Sequence, residues 1–414
     1  MNTIILAAGK GTRMKSGTPK VLHPVCGRPL LRYVLDVVQS VGSLKICVVI
    51  GHQGEHVRRF LGKGILTVVQ RRLLGTADAV RCAQKILRSS SGDVLILCGD
   101  TPLLKKETVR SLVRKFRRTK ADGIVLTAEV GDPSGYGRIV RDWQGRMTAI
   151  REEKDATEEE RRIREINVGV YCFKARALSA ALKKVKLNPV KKEYYLTDVI
   201  GVLSRRGAKI ETYLTGEPQE GWGVNSREDL AAAQQVLRQR FLRYWMAEGV
   251  TIEDPQTTFV EADVRIGRDT VIRPFTVIEG NVRIGSRCVI GPFTHLRPGT
   301  RLADEVQIGN FAEVSRSRLG TKTLMKHFSF AGDAEIGRHV NIGAGTVTAN
   351  YDGKNKNKTV IKDNAFIGSD SILVAPVKVG RGAMTGAGCV VKKGQVVPDG
   401  GVIVGVPGRI IKKI

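Results

Sequence analysis

From Val260 onward an aliphatic residue recurs at every sixth position: Val260, Ile266, Ile272, Ile278, Ile284, Ile290, Leu296, Leu302, Ile308 and Val314. Glycine often follows, as at Gly267, Gly285, Gly291 and Gly309. Chance hardly produces such a run. A period of six describes a short strand with one inward aliphatic side chain, then a tight turn, so that stacked coils share a continuous core. The pattern predicts a parallel β-helix over residues 250–414, of a handedness that spacing alone does not set. The frame slips after Val314, resumes through Leu324, Phe330, Ile336 and Ile342, slips again, and resumes at Ile361, Ile367, Leu373 and Val379. Slips mark insertions, which in solenoids form loops on a binding face. The second, Asn350 to Lys358, is polar and basic, suited to gripping phosphates or to simple solvation.

The preceding residues follow another rhythm, and a chain of 414 residues exceeds one ordinary core. Apolar runs at Thr3–Leu6, Lys45–Ile50, Leu66–Val69 and Asp93–Cys98 read as strands. Between them, Arg28 to Gly42 reads as a helix with Pro29 in its first turn and an apolar stripe of Leu31, Val34, Leu35 and Val38; a second helix runs from Gly75 to about Leu87. Such alternation predicts a largely parallel α/β sheet of Rossmann-like character over residues 1–225. Ser226 to Glu248, with Leu230, Ala233, Leu237, Phe241 and Tyr244 at helical spacing and a stop at Gly249, reads as a helical linker over 226–249.

The chemistry begins where the first strand ends, in Leu6-Ala7-Ala8-Gly9-Lys10-Gly11-Thr12-Arg13-Met14, completed by Pro19-Lys20. Small residues and glycines let backbone N–H groups approach a polyphosphate, while Lys10, Arg13 and Lys20 add fixed positive charge. A glycine-rich turn alone also serves merely to turn the chain. The Walker lysine spacing is absent, and the dinucleotide fingerprint fails at Met14. Further on, Gln70 carries both a donor and an acceptor that could read a base edge, and Gly75-Thr76 opens a helix. Gly99-Asp100 stands at the carboxyl end of a strand, where open α/β sheets place ligands and where an aspartate can hold Mg²⁺.

Composition narrows the partners. The net charge of +28 suits anionic substrates, but the basic residues are spread without an aromatic-interleaved cluster, so no nucleic-acid partner is expected. No apolar stretch reaches the ~20 residues of a membrane span, and no basic segment precedes an apolar one at the N-terminus, so a cytoplasmic location is expected. Seven scattered cysteines without a C-x-x-C pair read as buried thiols rather than a disulfide framework or zinc site.

The motif from Leu6 to Lys20 resembles the signature of sugar-1-phosphate nucleotidylyltransferases, and further blocks match in the same chain order. These are Gln70 to Ala79, Pro133-Ser134-Gly135-Tyr136-Gly137-Arg138, Glu152 with Lys154, Asn167 with Gly169, Glu193 to Asp198, and Gly223-Val224-Asn225-Ser226. Together they resemble the family of bifunctional N-acetylglucosamine-1-phosphate uridyltransferases and glucosamine-1-phosphate N-acetyltransferases, whose product serves peptidoglycan synthesis. The resemblance implies that Leu6, Ala7, Ala8, Gly9, Lys20, Gln70, Gly75 and Thr76 bind UTP, with uracil the favoured base. It also implies that Gly137, Glu152, Asn167 and Asn225 bind the sugar nucleotide. Lys20 and Arg13 would act in catalysis by offsetting phosphate charge, and Asp100 with Asn225 would hold Mg²⁺.

For the repeat, the resemblance is to left-handed β-helix hexapeptide acyltransferases, which generally trimerise with active sites between subunits; a homotrimer is therefore expected. It implies His327 as general base, taking a proton from the amine of glucosamine-1-phosphate as it attacks the thioester of acetyl-CoA. Arg297 and Asn341 would contact the sugar phosphate; Ala344, Asn350, Tyr351, Lys356, Ser369 and Ala387 would contact the coenzyme. Ser315, Phe330 and Gly405 depart from the family's lysine, tyrosine and arginine. Losing a cation opposite phosphate or a buried hydroxyl costs about 1–3 kcal/mol each. The β-helix is also shorter than the family norm before Leu296, and the family's C-terminal tail has no counterpart after Ile414. Two other readings stay open: a uridyltransferase whose β-helix is a scaffold or serves another amino sugar, and a noncatalytic scaffold resembling exchange-factor subunits, against which Lys20, Asp100 and Asn225 argue.

Overall fold

The structure is a computed structural model describing residues 1–83 and 92–412, so the expected helix end near Leu87 lies outside the described residues. The chain separates into two compact units, Met1–Gln234 and Gln235–Ile414. No helix among the described residues is long and apolar enough to cross a membrane.

The first unit is built on strands β1 (Asn2–Ala7), β2 (Lys45–Ile50), β3 (Leu66–Val69), β4 (Asp93–Cys98), β5 (Gly123–Glu129), β6 (Arg138–Arg141), β7 (Met147–Arg151), β8 (Glu165–Lys174) and β9 (Ile210–Leu214). Their order in the sheet is β9-β5-β8-β4-β1-β2-β3, with the β6–β7 hairpin joined to β8. All neighbours in that order are parallel except β8, which runs antiparallel to β4 and β5. Ile4, Ile5, Val48, Val49, Leu95 and Ile96 are wholly buried, because helices cover both faces and an alternating pattern would leave polar side chains in the core. The parallel register sets Leu6 beside Cys98, and Gly99 N donates to Leu6 O at 2.9 Å. The glycine-rich loop after β1 and Asp100 after β4 thus emerge side by side.

One helix boundary differs from the reading above. The helix spans Leu30–Ser40 with Pro29 as its cap, because Arg28–Pro29 pairs with Pro24–Val25 in a small antiparallel ladder. Proline's fixed φ suits that position as well as the first turn.

The second unit is a left-handed β-helix of three sheets, begun by Thr251–Ile252, Phe259–Val260 and Arg265–Ile266 and parallel throughout except where Arg409–Lys412 turns back antiparallel on Val402–Val404. The first aliphatic run stacks inward without exception, from Val260 to Val314, none more than 7% exposed. Ile361, Ile367, Leu373 and Val379 do the same. After the first slip the expected frame is off by one residue at Leu324 and Phe330 and right again at Ile336 and Ile342, which are buried. Val314 pairs with Ala331 and Ile308 with Met325, both buried, while Leu324 and Phe330 face outward. The coil is one residue short, and Leu319 follows Val314 inward at a spacing of five.

The helix Arg227–Ala247 buries Ala233 and Leu237 as expected. Beyond them, Leu242 is buried in the β-helix core and Trp245 packs against it, rather than Phe241 and Tyr244. Tyr244 is exposed.

Candidate active site

Two clefts in the first unit share Cys98 and Asp100. The first, of about 480 Å³, takes the loop Leu6 to Thr12 on one side and Gln70, Leu73, Gly75 and Thr76 on the other. Gly9 sits where an added Cβ would meet no protein atom within 4 Å, so the space beside the loop is open to a ligand. Gly11 is different: its φ of 62° and the 2.8 Å from a built Cβ to Lys20 Cβ bring the loop against Lys20.

The second cleft, of about 360 Å³, is lined by Arg13, Gly137, Glu152, Asn167, Gly169, Gly223 and Asn225 among others. Of the charged residues in the first motif, Lys10 and Lys20 face the first cleft and Arg13 the second. A register shift in β8 follows Asn167, which still pairs with Thr127, and takes Val168 and Gly169 out of the ladder where they line the cleft beside Asn167. Asn167 is held by donation to Tyr171 Oη at 2.7 Å and by accepting Gly169 N at 3.0 Å. The loop Pro133–Gly137 is anchored from below by buried Arg138, which donates to Tyr136 O and pairs with Glu153 at 2.6 Å; Glu153 also accepts Gly135 N at 3.1 Å. At Gly137 a Cβ would come within 2.8 Å of Ile150, so only glycine lets hairpin and loop close.

Where the clefts meet, Lys20 Nζ donates to Asp100 Oδ2 and to Asn225 Oδ1, the latter at 2.9 Å. Asn225 is fixed by its own N–H on Asp229 Oδ2 at 2.9 Å and by Nδ2 on Gly223 O at 3.2 Å, which leaves Oδ1 to accept from Lys20. Asp229 also accepts Ser226 N and receives Ser226 Oγ on its own N–H, completing the expected helix start. A carboxylate and a carboxamide oxygen already converging on one cation are hard donors suited to Mg²⁺, which takes one or two protein oxygens and fills its sphere with phosphate and water. The residues present therefore fit the metal.

The sequence of Glu193 to Asp198 discloses no role for that segment. In the structure this segment straps the two clefts together. Tyr194 N donates to Leu74 O at 2.7 Å, Ala77 N to Tyr194 O at 2.9 Å, and Leu196 N to Thr76 Oγ1 at 2.9 Å. Thr197 Oγ1 then donates to Glu152 Oε1 at 2.8 Å, and Glu193 lines the first cleft. Cys98 lines both clefts, and burial pushes its thiol up to about 12, which leaves it an unreactive thiol there.

Burial, joined by the charges of Asp198, Asp155 and Glu193, holds the Glu152 carboxyl above the usual glutamate range despite the Thr197 hydrogen bond. A raised value means that Glu152 takes up its proton at a higher pH on acidification. Ligand binding in the second cleft, which Glu152 lines, is expected to weaken as pH falls through that raised value, above the ~4.3 of a free glutamate. Glu152→Gln should remove this acidic limb from the binding profile; a limb that survives would assign it to another group.

In the second unit the expected residues divide between two edges that flank one sheet. His327, Ala344, Ser369 and Ala387 lie on turns of successive coils along the first edge, joined by Gly345 N to Phe328 O at 2.8 Å, Asp370 N to Ala344 O at 2.6 Å and Gly388 N to Ser369 O at 2.8 Å. Asn341 stands on the sheet before that edge. Arg297, Ser315, Asn350, Tyr351 and Lys356 lie along the other edge, beside a cleft of about 420 Å³ that takes Arg316, Arg318, Asp333, Lys356 and Lys358. Arg297 pairs there with Glu313 at 3.0 Å. Arg316 grips Asp333 through two bonds of 2.7 and 2.8 Å, and its Nη1 reaches Ser315 Oγ at 2.8 Å; Asn350 also donates to Asp333.

Residues 3–187 match the MobA-like NTP transferase domain model, and 263–298, 281–316 and 358–393 match the bacterial transferase hexapeptide model of six repeats. "Bifunctional protein GlmU" of Shouchella clausii is 44% identical over 418 residues, spanning 93% of this chain and 92% of that protein. The protein of the same name from Bacillus subtilis is 44% identical over 421 residues, spanning 94% and 92%. A solved UDP-glucose pyrophosphorylase complexed with UDP-glucose superposes on 58% of this chain and 98% of its own with a TM-score of 0.50; at 17% identity that likeness concerns the fold alone.

Proposed function

Because this chain belongs to the bifunctional GlmU family, we propose that it makes UDP-N-acetylglucosamine by two transfers, one in each unit. The observation that carries the first is the junction where Lys20, Asp100 and Asn225 meet between a cleft bearing Gln70 and one bearing Glu152 and Asn167. An oxygen of N-acetylglucosamine-1-phosphate attacks the α-phosphorus of UTP, the new P–O bond forms, and the bond to pyrophosphate breaks. Leu6 to Gly9, with Gly75 and Thr76, hold the nucleotide, while Gly137, Glu152, Asn167 and Asn225 hold the sugar phosphate. Lys20 and Arg13 supply fixed positive charge to the phosphates. Asp100 and Asn225 would hold Mg²⁺, which supplies charge neutralisation on the triphosphate. No protein nucleophile is needed: alignment and electrostatics carry the reaction.

In the second unit the amine of glucosamine-1-phosphate attacks the acetyl-CoA thioester carbonyl, His327 takes the amine proton, and the coenzyme thiol leaves. Arg316, whose guanidinium reaches the Ser315 hydroxyl, brings a cation to the position where the family's lysine stands. The expected residues lie on two edges of one coil stack, so one copy does not gather them. A homotrimer that sets the first edge of one copy beside the second edge of its neighbour would. UTP and acetyl-CoA are cytoplasmic metabolites, which places the reaction there.

Pyrophosphate release is expected to require UTP, N-acetylglucosamine-1-phosphate and Mg²⁺ together, and to fall at least about 100-fold when EDTA exceeds the metal. Turnover that survives EDTA would contradict the assignment of Asp100 and Asn225.

A further inference from the structure

Gln70 reaches the nucleotide cleft with one of its polar groups already committed. Its Nε2 donates to Gly75 O at 3.0 Å and to Asp78 Oδ2 at 2.8 Å. Both partners are acceptors only, a peptide carbonyl and a carboxylate. Turning the amide over would set Oε1 against two oxygens, so the chemistry of the partners fixes the orientation. Both amide hydrogens are consumed. Oε1 accepts no hydrogen bond from the described residues and is the polar atom left to a side chain that is 4% exposed and lines the cleft.

The clamp is itself held rigidly. Gly75 sits at φ 96°, where a Cβ would come within 2.6 Å of Tyr194 O, and its carbonyl also accepts Ala79 N at 3.1 Å. Asp78 lies on the first turn of the helix Thr76–Cys82, whose Thr76 and Ala77 are bonded to the Tyr194–Leu196 strap. With Gly75 alone, a turned-over amide would forfeit one neutral contact. The carboxylate of Asp78 adds a second contact and a negative charge that repels Oε1.

We propose that Asp78 is a positioning residue that makes Gln70 an acceptor-only reader, so that the site takes a pyrimidine with a ring N–H and refuses cytosine. Uracil offers N3–H to Oε1, whereas cytosine would set the N3 lone pair against it. The inference rests on the uridylyl-transfer reading and names the contact by which that site chooses its base.

The test compares kcat/KM for UTP and CTP, with N-acetylglucosamine-1-phosphate and Mg²⁺, in the wild-type chain and in Asp78→Ala. The wild type should favour UTP by about 100-fold or more, as expected for a buried reader left facing a like dipole. Asp78→Ala should shrink that ratio at least about tenfold, because one N–H is released to face the base, while KM for the sugar phosphate is unchanged. Asp78→Leu, which keeps the bulk without an acceptor, makes the same test if the alanine variant does not fold. A merely structural Asp78 would lower both nucleotides together and leave the ratio intact, which would overturn the proposal. Wild-type turnover with ATP or GTP but not UTP would instead sink the uridylyl-transfer reading.

Discussion

Asp100→Ala is expected to lower kcat for pyrophosphate release by at least about 1,000-fold, the scale on which removal of a preorganised electrostatic group acts. Asp100 borders both clefts and is the carboxylate to which Lys20 donates beside Asn225. Without it Mg²⁺ would be left with Asn225 alone as a protein oxygen donor, and Lys20 loses a carboxylate partner. The fold should survive, because apart from the Lys20 pair Asp100 contributes to its surroundings through the backbone: its carbonyl accepts Val224 N at 2.9 Å. An unchanged melting temperature with vanished turnover is therefore the expected result. Retention of a tenth of the activity would place the metal elsewhere.

The second large effect is expected at His327. It is exposed on the turn between the strands Leu324–Met325 and Phe330–Gly332, so His327→Ala removes no core contact. Thiol release from acetyl-CoA should fall at least about 100-fold, the lower end of what general-base removal costs. Uridylyl transfer from ready-made N-acetylglucosamine-1-phosphate should be untouched, since it is carried out in the other unit. Equal thiol release from variant and wild type would remove His327 from the mechanism.

The β-helix was legible because each coil puts one aliphatic side chain inward per strand, a pattern that sequence records directly. It failed where a coil lost one residue: Leu324 and Phe330 are the stronger apolar candidates, yet Met325 and Ala331 point inward because the pleat, not side-chain size, decides the face. In the first unit, strand ends and glycines disclosed the loop after β1, Gln70 and Asp100, since parallel sheets deliver ligand groups at the carboxyl ends of their strands. Three features were not legible. The register shift in β8 depends on pairing with β5, the strap from Tyr194 to Thr197 joins segments far apart in the chain, and the clamp of Asp78 on Gln70 needs the helix to turn back over the strand end. The departures at Ser315, Phe330 and Gly405 were read from single positions; the contact of Arg316 with Ser315 depends on a side-chain path that spacing does not contain.

The account's central claim is that one chain performs both transfers. The most direct measurement supplies the purified protein with glucosamine-1-phosphate, acetyl-CoA, UTP and Mg²⁺, and follows free thiol, pyrophosphate and UDP-N-acetylglucosamine together. Thiol release preceding an equal release of pyrophosphate, with the nucleotide sugar as product, is the predicted result. Absence of thiol release above background, while added N-acetylglucosamine-1-phosphate is still converted with UTP, would contradict it and leave the β-helix as a scaffold or an enzyme for another amine.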